Sequence, residues 1–127
     1  MKNNLKDLKK FWKNKKVFLT GHTGFKGTWL TLLLEKLGIG VVGFSLSPEK
    51  DSLFDRASRT GAISEVFADI RDYGRLNSYI NSVKPSTIIH MAAQPLVLES
   101  YRLPRDTFDV NVMGTVNVLD SAFKTDS

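Results

Sequence analysis

Apolar positions along this chain follow two rhythms. Short unbroken runs occur at Val17-Phe18-Leu19, Val41-Val42-Gly43-Phe44, Ile63 to Ala68 and Thr87-Ile88-Ile89-His90-Met91. Such runs suit parallel strands covered on both faces. Between them the spacing changes to that of a helix. Leu30, Leu33, Leu34 and Leu37 predict a helix from about Lys26 to Leu37 with one apolar face, stopped by Gly38. Leu53 to Ala57 predicts a short helix. Leu76, Tyr79, Ile80 and Val83 predict another, capped by Asp72 and ended by Pro85. Phe108, Val112, Val116, Leu119 and Phe123 predict one long helix over Pro104 to Phe123. Val110, Met113 and Val118 lie off that stripe, so this helix is expected to be buried on two sides, one on the sheet and one on a partner subunit. Asn111, between the faces, is expected to bond a neighbouring loop, and Gly114 to permit a close contact. Alternating strands and helices predict an α/β fold with a parallel sheet.

The first strand runs straight into Gly21, Gly24 and Gly27, and a helix follows. A strand, a tight glycine turn and a helix N-terminus leave backbone N–H groups and a helix dipole free to hold an anion, typically a diphosphate. Gly21 allows the sharp turn, Gly24 the close approach of a ligand, and Gly27 the close packing of helix on strand. The spacing Gly-x-x-Gly-x-x-Gly is neither Gly-x-Gly-x-x-Gly nor a phosphate loop ending in Gly-Lys-Ser/Thr. An acid that would hold an adenine ribose is missing from the end of the second strand. Glu49 and Asp51 come several residues late, and only Lys50 is near for a 2′-phosphate, which tilts the cofactor towards NAD. Asp69 could accept an adenine amino group or cap a turn. Ala92-Ala93 could let a cofactor lie across a strand end or fill a packed turn. His90 reads as a satisfied core histidine.

Composition changes this picture little. The 127 residues carry a net charge of +5, but residues 1–16 hold seven lysines against Asp7 alone. The basicity belongs to a leader, residues 1–15, and not to residues 16–127, so nucleic-acid binding is not expected. Leu5, Leu8, Phe11 and Trp12 make that leader amphipathic. It is read as a short helix packing Phe11 and Trp12 on the domain, with a membrane surface or an acidic partner as alternatives. No segment is long and apolar enough to span a membrane. There are no cysteines and only His22 and His90, so neither disulfides nor a metal site is expected, and a reducing, cytoplasmic setting fits.

Thr20-Gly21-x-x-Gly24-x-x-Gly27, Asp69-Ile70-Arg71, His90-Met91-Ala92-Ala93-Gln94 and Asn111-Val112-x-Gly114-Thr115 occur in the order and spacing of the extended short-chain dehydrogenase/reductases, which the chain resembles. More narrowly, Thr20-Gly21-His22-Thr23-Gly24-Phe25-Lys26-Gly27 and Ala92-Ala93-Gln94-Pro95-Leu96-Val97, with Ser52-Leu53-Phe54 and Ser100-Tyr101-Arg102, are similar to the CDP-glucose 4,6-dehydratases. The resemblance covers residues 11 to 123. It implies a Rossmann-type doubly wound sheet of about four strands, order 3-2-1-4, and a bound NAD. It implies hydride removal from C4 of CDP-glucose, loss of water across C5 and C6, and return of hydride to C6, giving a deoxysugar precursor of cell-surface polysaccharide.

By position, Gly21, His22, Thr23, Gly24, Phe25, Lys26 and Gly27 would surround the diphosphate, with His22 modulating affinity beside it. Asp69 and Ile70 would meet the adenine. Ala92, Ala93 and Gln94 would face the middle of the cofactor and its nicotinamide end, with Asn111 bracing the site. The family's Tyr-x-x-x-Lys pair is not present: Tyr73, Tyr79 and Tyr101 have no lysine four residues later. The chain is therefore expected to be the N-terminal part of an enzyme, inactive alone and joined to copies of itself through the last helix. The alternatives are another sugar-nucleotide dehydratase or epimerase, and a stand-alone dinucleotide-binding or interaction module.

Overall fold

The computed structural model describes residues 2–125. Four parallel strands, β1 (Lys16–Thr20), β2 (Gly40–Ser45), β3 (Ser64–Phe67) and β4 (Thr87–His90), form one sheet in the order β3-β2-β1-β4. β1 sits inside, with Phe18 level with Val42 on one side and Ile88 on the other. The helices are α1 (Lys2–Trp12), α2 (Phe25–Lys36), α3 (Leu53–Arg56), α4 (Tyr73–Val83), α5 (Val97–Arg102), α6 (Pro104–Phe108) and α7 (Gly114–Lys124). The predicted doubly wound Rossmann sheet and its strand order are what the structure has.

Side chains alternate across the sheet and feed two cores. Phe18, Val42 and Phe44 meet Leu76 and Ile80 of α4 and Val118 of α7. Val17, Leu19 and Val41 meet Leu34 and Ile39 on the other face. Each helix boundary has a local cause. Asp72 caps α4 by accepting the Arg75 N–H at 3.1 Å. Gly38 follows α2 at φ +73°, a conformation glycine adopts without strain.

Three expectations need correction. The buried face of α2 is Gly27, Thr28, Thr31 and Leu34, while Leu33 is exposed and Leu30 only half-buried. The small residues win because α2 lies so close to β1 that a Cβ on Gly27 would collide with the Gly21 carbonyl. The two threonine hydroxyls can be buried because they bond carbonyls of the same segment, Thr28 to Gly24 and Thr31 to Thr28, both at 2.7 Å. The long last helix is interrupted: α6 passes through a π-helical turn at Asp109–Met113 before α7, and α5 precedes it. Val110 and Val118 both pack on the core. Residues eight apart share one broad face of an α-helix, and with the wider turn between them the two valines still meet the same core. In the leader, Trp12 packs on the core, but Phe11 is exposed beneath Lys15, whose Nζ lies 3.3 Å from its ring centre. No helix among the described residues is long and apolar enough to cross a membrane.

Candidate functional site

The carboxyl ends of all four strands open on one cleft of about 960 Å³. In open α/β sheets this end, where the chain reverses its winding direction, is where ligands bind. Gly21, Thr23, Gly24, Phe25, Lys26 and Gly27 form one wall, Ser45, Leu46 and Ser47 the end of β2, Asp69 and Ile70 the end of β3, and Met91, Ala92, Ala93 and Gln94 the end of β4. Eleven of the thirteen sequence-predicted site residues thus line it. His22 and Asn111 do not.

Gly24 is the N-cap of α2 and offers no side-chain hydrogen bond; the first turn holds no acid. Serine or aspartate at that position would occupy one of the free N–H groups of the first turn. Glycine leaves them for an anion, with Lys26 adding positive charge beside them. A Cβ on Gly24 would meet only the Gly21 carbonyl, at 3.4 Å, so what glycine preserves there is open space. Gly21 is different. At φ +76° it lies so close to the loop after β4 that a Cβ would fall 2.6 Å from the Ala92 nitrogen.

A directed chain of hydrogen bonds holds that loop. The buried Thr20 hydroxyl accepts the N–H groups of Met91 and Ala92, at 3.0 and 3.1 Å. Its two lone pairs are then used, so its proton goes to His90 Nδ1 at 2.6 Å. The opposite nitrogen, Nε2, therefore carries the hydrogen and donates to Thr115 Oγ1 at 3.1 Å, and Thr115 donates to the Asn111 carbonyl at 2.6 Å. His90 is satisfied only when neutral. Burial pushes its imidazole down from the ordinary value, in the same direction.

Asn111 projects from the π-helical turn and grips the backbone of Gln94. Its Oδ1 accepts the Gln94 N–H at 2.8 Å and its Nδ2 donates to the Gln94 carbonyl at 3.2 Å. The Gln94 amide is itself spent, on Leu96 and on Thr107 Oγ1 at 3.0 Å. Across the cleft, Arg71 grips both oxygens of Asp69, at 3.0 and 2.7 Å, and reaches Asp106 at 2.6 Å. That guanidinium holds the Asp69 carboxyl below the usual carboxylate range. Asp69 therefore meets the cleft as an ion-paired carboxylate. The sequence motifs contain Thr20, Arg71 and Thr115, but sequence reasoning gave them no role in the site. Apart from Asp69, two positions from Arg71, and Asn111, four from Thr115, their side-chain partners lie 25 to 72 positions away, and no spacing rule marks them.

His22, expected beside the diphosphate, is fully buried under the turn, and its Nε2 lies 2.8 Å from Glu65 Oε2 on β3. A second hollow, of about 640 Å³, lies along residues Arg102 to Met113 on the outside of the last helices. Among the described residues, no group of three or more His, Cys, Asp or Glu side chains could hold a metal.

Residues 18–127 match the protein family described as GDP-mannose 4,6 dehydratase. The chain is 46% identical over 114 residues to the CDP-glucose 4,6-dehydratase of Salmonella typhimurium, covering 89% of this chain and 32% of that protein. It is 31% identical to GDP-mannose 4,6 dehydratase 2 of Caenorhabditis elegans, over 91% of this chain and 32% of the other. Among solved structures, the UDP-glucose-4-epimerase of Stenotrophomonas maltophila with bound NAD superposes with a TM-score of 0.73 at 31% identity, over 85% of this chain and 33% of the other. The Brucella ovis UDP-glucose 4-epimerase in complex with NAD gives 0.72 at 30%, over 84% and 31%. The chain spans about a third of the length of the relatives it matches.

Proposed function

The chain belongs to the GDP-mannose 4,6 dehydratase family, and from that premise we propose that it forms the NAD-binding portion of a CDP-glucose 4,6-dehydratase. One observation carries the cofactor: an uncapped helix N-terminus, with no acid in its first turn, opens on a cleft that runs across the ends of four parallel strands. The substrate rests on the 46% identity to a relative of that name.

In this reading Gly21, Thr23, Gly24, Phe25, Lys26 and Gly27 hold the diphosphate. Asp69 and Ile70 flank the adenine, and Ala92, Ala93 and Gln94 line the middle and the nicotinamide end. Asn111 acts on the site only through the Gln94 backbone. The loop after β2 brings Ser47 and Glu49 to the cleft, and no arginine, which favours NAD over a 2′-phosphorylated cofactor. NAD, when bound, supplies the acceptor and later the donor of the hydride. These 127 residues contain no Tyr-x-x-x-Lys pair to take a sugar hydroxyl proton. We therefore propose that this stretch alone binds and orients but does not turn substrate over. A cytoplasmic setting and self-association belong to the same proposal.

Calorimetric titration with NAD and NADP tests the cofactor: saturable binding of NAD is expected, and binding of neither would sink the reading. Protein isolated from its own cells, incubated with CDP-glucose, GDP-mannose and UDP-glucose in turn, tests the substrate. Loss of one water from CDP-glucose alone is the expected result. An isomer of UDP-glucose with no water lost would make the protein an epimerase.

A further inference from the structure

His22 belongs to the glycine turn yet faces away from the cleft. Its ring fills a closed slot beneath the turn: Phe67 stacks on it at 6.0 Å between centres, and Phe54 meets it edge-on at 5.6 Å. The floor of the slot is Gly43, in the middle of β2. A Cβ there would fall 2.5 Å from His22 Nδ1. A glycine inside a strand weakens it and marks a close approach; here the approaching group is the imidazole.

At the far end of the slot stands Glu65, whose side chain is only 8% exposed. Both of its oxygens are engaged, Oε2 by His22 and Oε1 by the Gly61 N–H at 2.7 Å. A hydrogen bond to a buried carboxylate is about twice as strong as one between neutral groups. The next residue is anchored too: the Thr23 hydroxyl meets Ser45 Oγ at 2.7 Å and the Leu46 carbonyl at 3.0 Å. Residues 22 and 23 thus tie the turn to β3 and β2 respectively. The first turn of α2 rests on this anchor, since a Cβ on Gly27 would lie 2.8 Å from the His22 Cα. Where the His22 backbone sits, the free N–H groups of α2 must follow.

We propose that His22 and Glu65 are a buried positioning pair, which fixes the glycine turn against the sheet and thereby sets the affinity of the cleft for a diphosphate-bearing ligand. The inference rests on the dinucleotide reading and deepens it. Neither residue touches the ligand; both act through the backbone of the turn.

The test compares ADP and NAD, by calorimetry, with adenosine, by NMR titration, on the full chain. His22→Phe keeps a flat ring in the slot and removes the donor. It is expected to weaken ADP and NAD about ten-fold or more, and adenosine less than about two-fold, because adenosine carries no diphosphate. His22→Gln, which can still donate to Glu65, is expected to recover most of the loss. Glu65→Gln is expected to weaken ADP several-fold, and the His22→Phe/Glu65→Gln pair no more than the worse single change. Should His22→Phe fail to fold, Glu65→Gln and Gly43→Ala, which presses on the ring, carry the same comparison. Equal losses for ADP and adenosine, additive losses in the pair, or unchanged ADP affinity in all variants would overturn the proposal while leaving the dinucleotide site standing. A wild-type chain that binds neither NAD nor ADP would overturn both.

Discussion

The glycine turn and the last helix are built on opposite terms. Around the turn the polar side chains are drawn inward: Thr20, His22, Thr28 and Thr31 are fully buried and each makes a hydrogen bond, His22 through Nε2 while its buried Nδ1 has no hydrogen-bond partner. Along the last helix, Phe108, Val112, Val116, Leu119 and Phe123 all face outward, and Phe123 is 89% exposed. The inner side of the same helix is closely packed, with Gly114 so near Ile70 that a Cβ would lie 2.7 Å from Cγ2. One region turns its side chains inward among the described residues. The other offers a continuous apolar stripe of the kind that marks an interface.

The sharpest break of that contrast is expected at Gly27→Val. Its side chain would enter the space of the Gly21 carbonyl, and about 3 kcal/mol or more of stability should be lost, measured by urea denaturation. Loss of less than about 1 kcal/mol would mean that helix and strand are not in contact there. On the last helix, Val118→Ala should cost about 2 kcal/mol as a buried aliphatic cut back, and Leu119→Ser next to it under about 0.5 kcal/mol. Similar costs would deny that the helix has two unlike sides.

Within the turn itself, Gly24→Val should cost about 1 kcal/mol or less. It should nevertheless abolish NAD binding, since the new side chain stands in the cleft. Undiminished NAD affinity by calorimetry would remove the diphosphate from this turn. If the stripe meets a second copy, Leu119→Ser/Phe123→Ser should lower the average mass seen by light scattering at high concentration. An unaltered mass would put any association elsewhere, the exposed sheet edges being the next place to look.

The smallest effect expected is that of pH. Burial lowers the imidazoles of both His22 and His90, the neighbouring Glu65 only partly opposing this at His22. The unfolded chain then binds protons that the native chain refuses. Stability should hold above the ordinary imidazole value of about 6.5 and decline as pH falls from there towards the native values. Thermal midpoints at pH 7.5 and 5.5 read this directly, and a higher midpoint at 5.5 would contradict it.

The two regions also differ in how much of them could be read from sequence. The strands, their parallel arrangement and the glycine turn were legible, because each depends on residues adjacent in the chain or on a strand–helix alternation, while the strand order came with the family resemblance. Within α2 the leucine spacing pointed to the wrong face, since hydroxyls bonded to their own helix can be buried as leucines are. The π-helical turn adds less than one residue per turn, too little to disturb a periodic pattern, yet it decides where Asn111 points. His22 was expected beside the diphosphate because its neighbours are there; only the third dimension turns it towards Glu65.

The glycine in the middle of β2 has a consequence for which substitutions the chain tolerates. A Cβ at position 43 would fall 2.5 to 2.7 Å from three atoms of the His22 ring, so a side chain there and an imidazole at position 22 compete for one space. The two positions are therefore expected to be coupled: a smaller residue at 22 makes room for a side chain at 43, and the pair should tolerate together what neither tolerates alone.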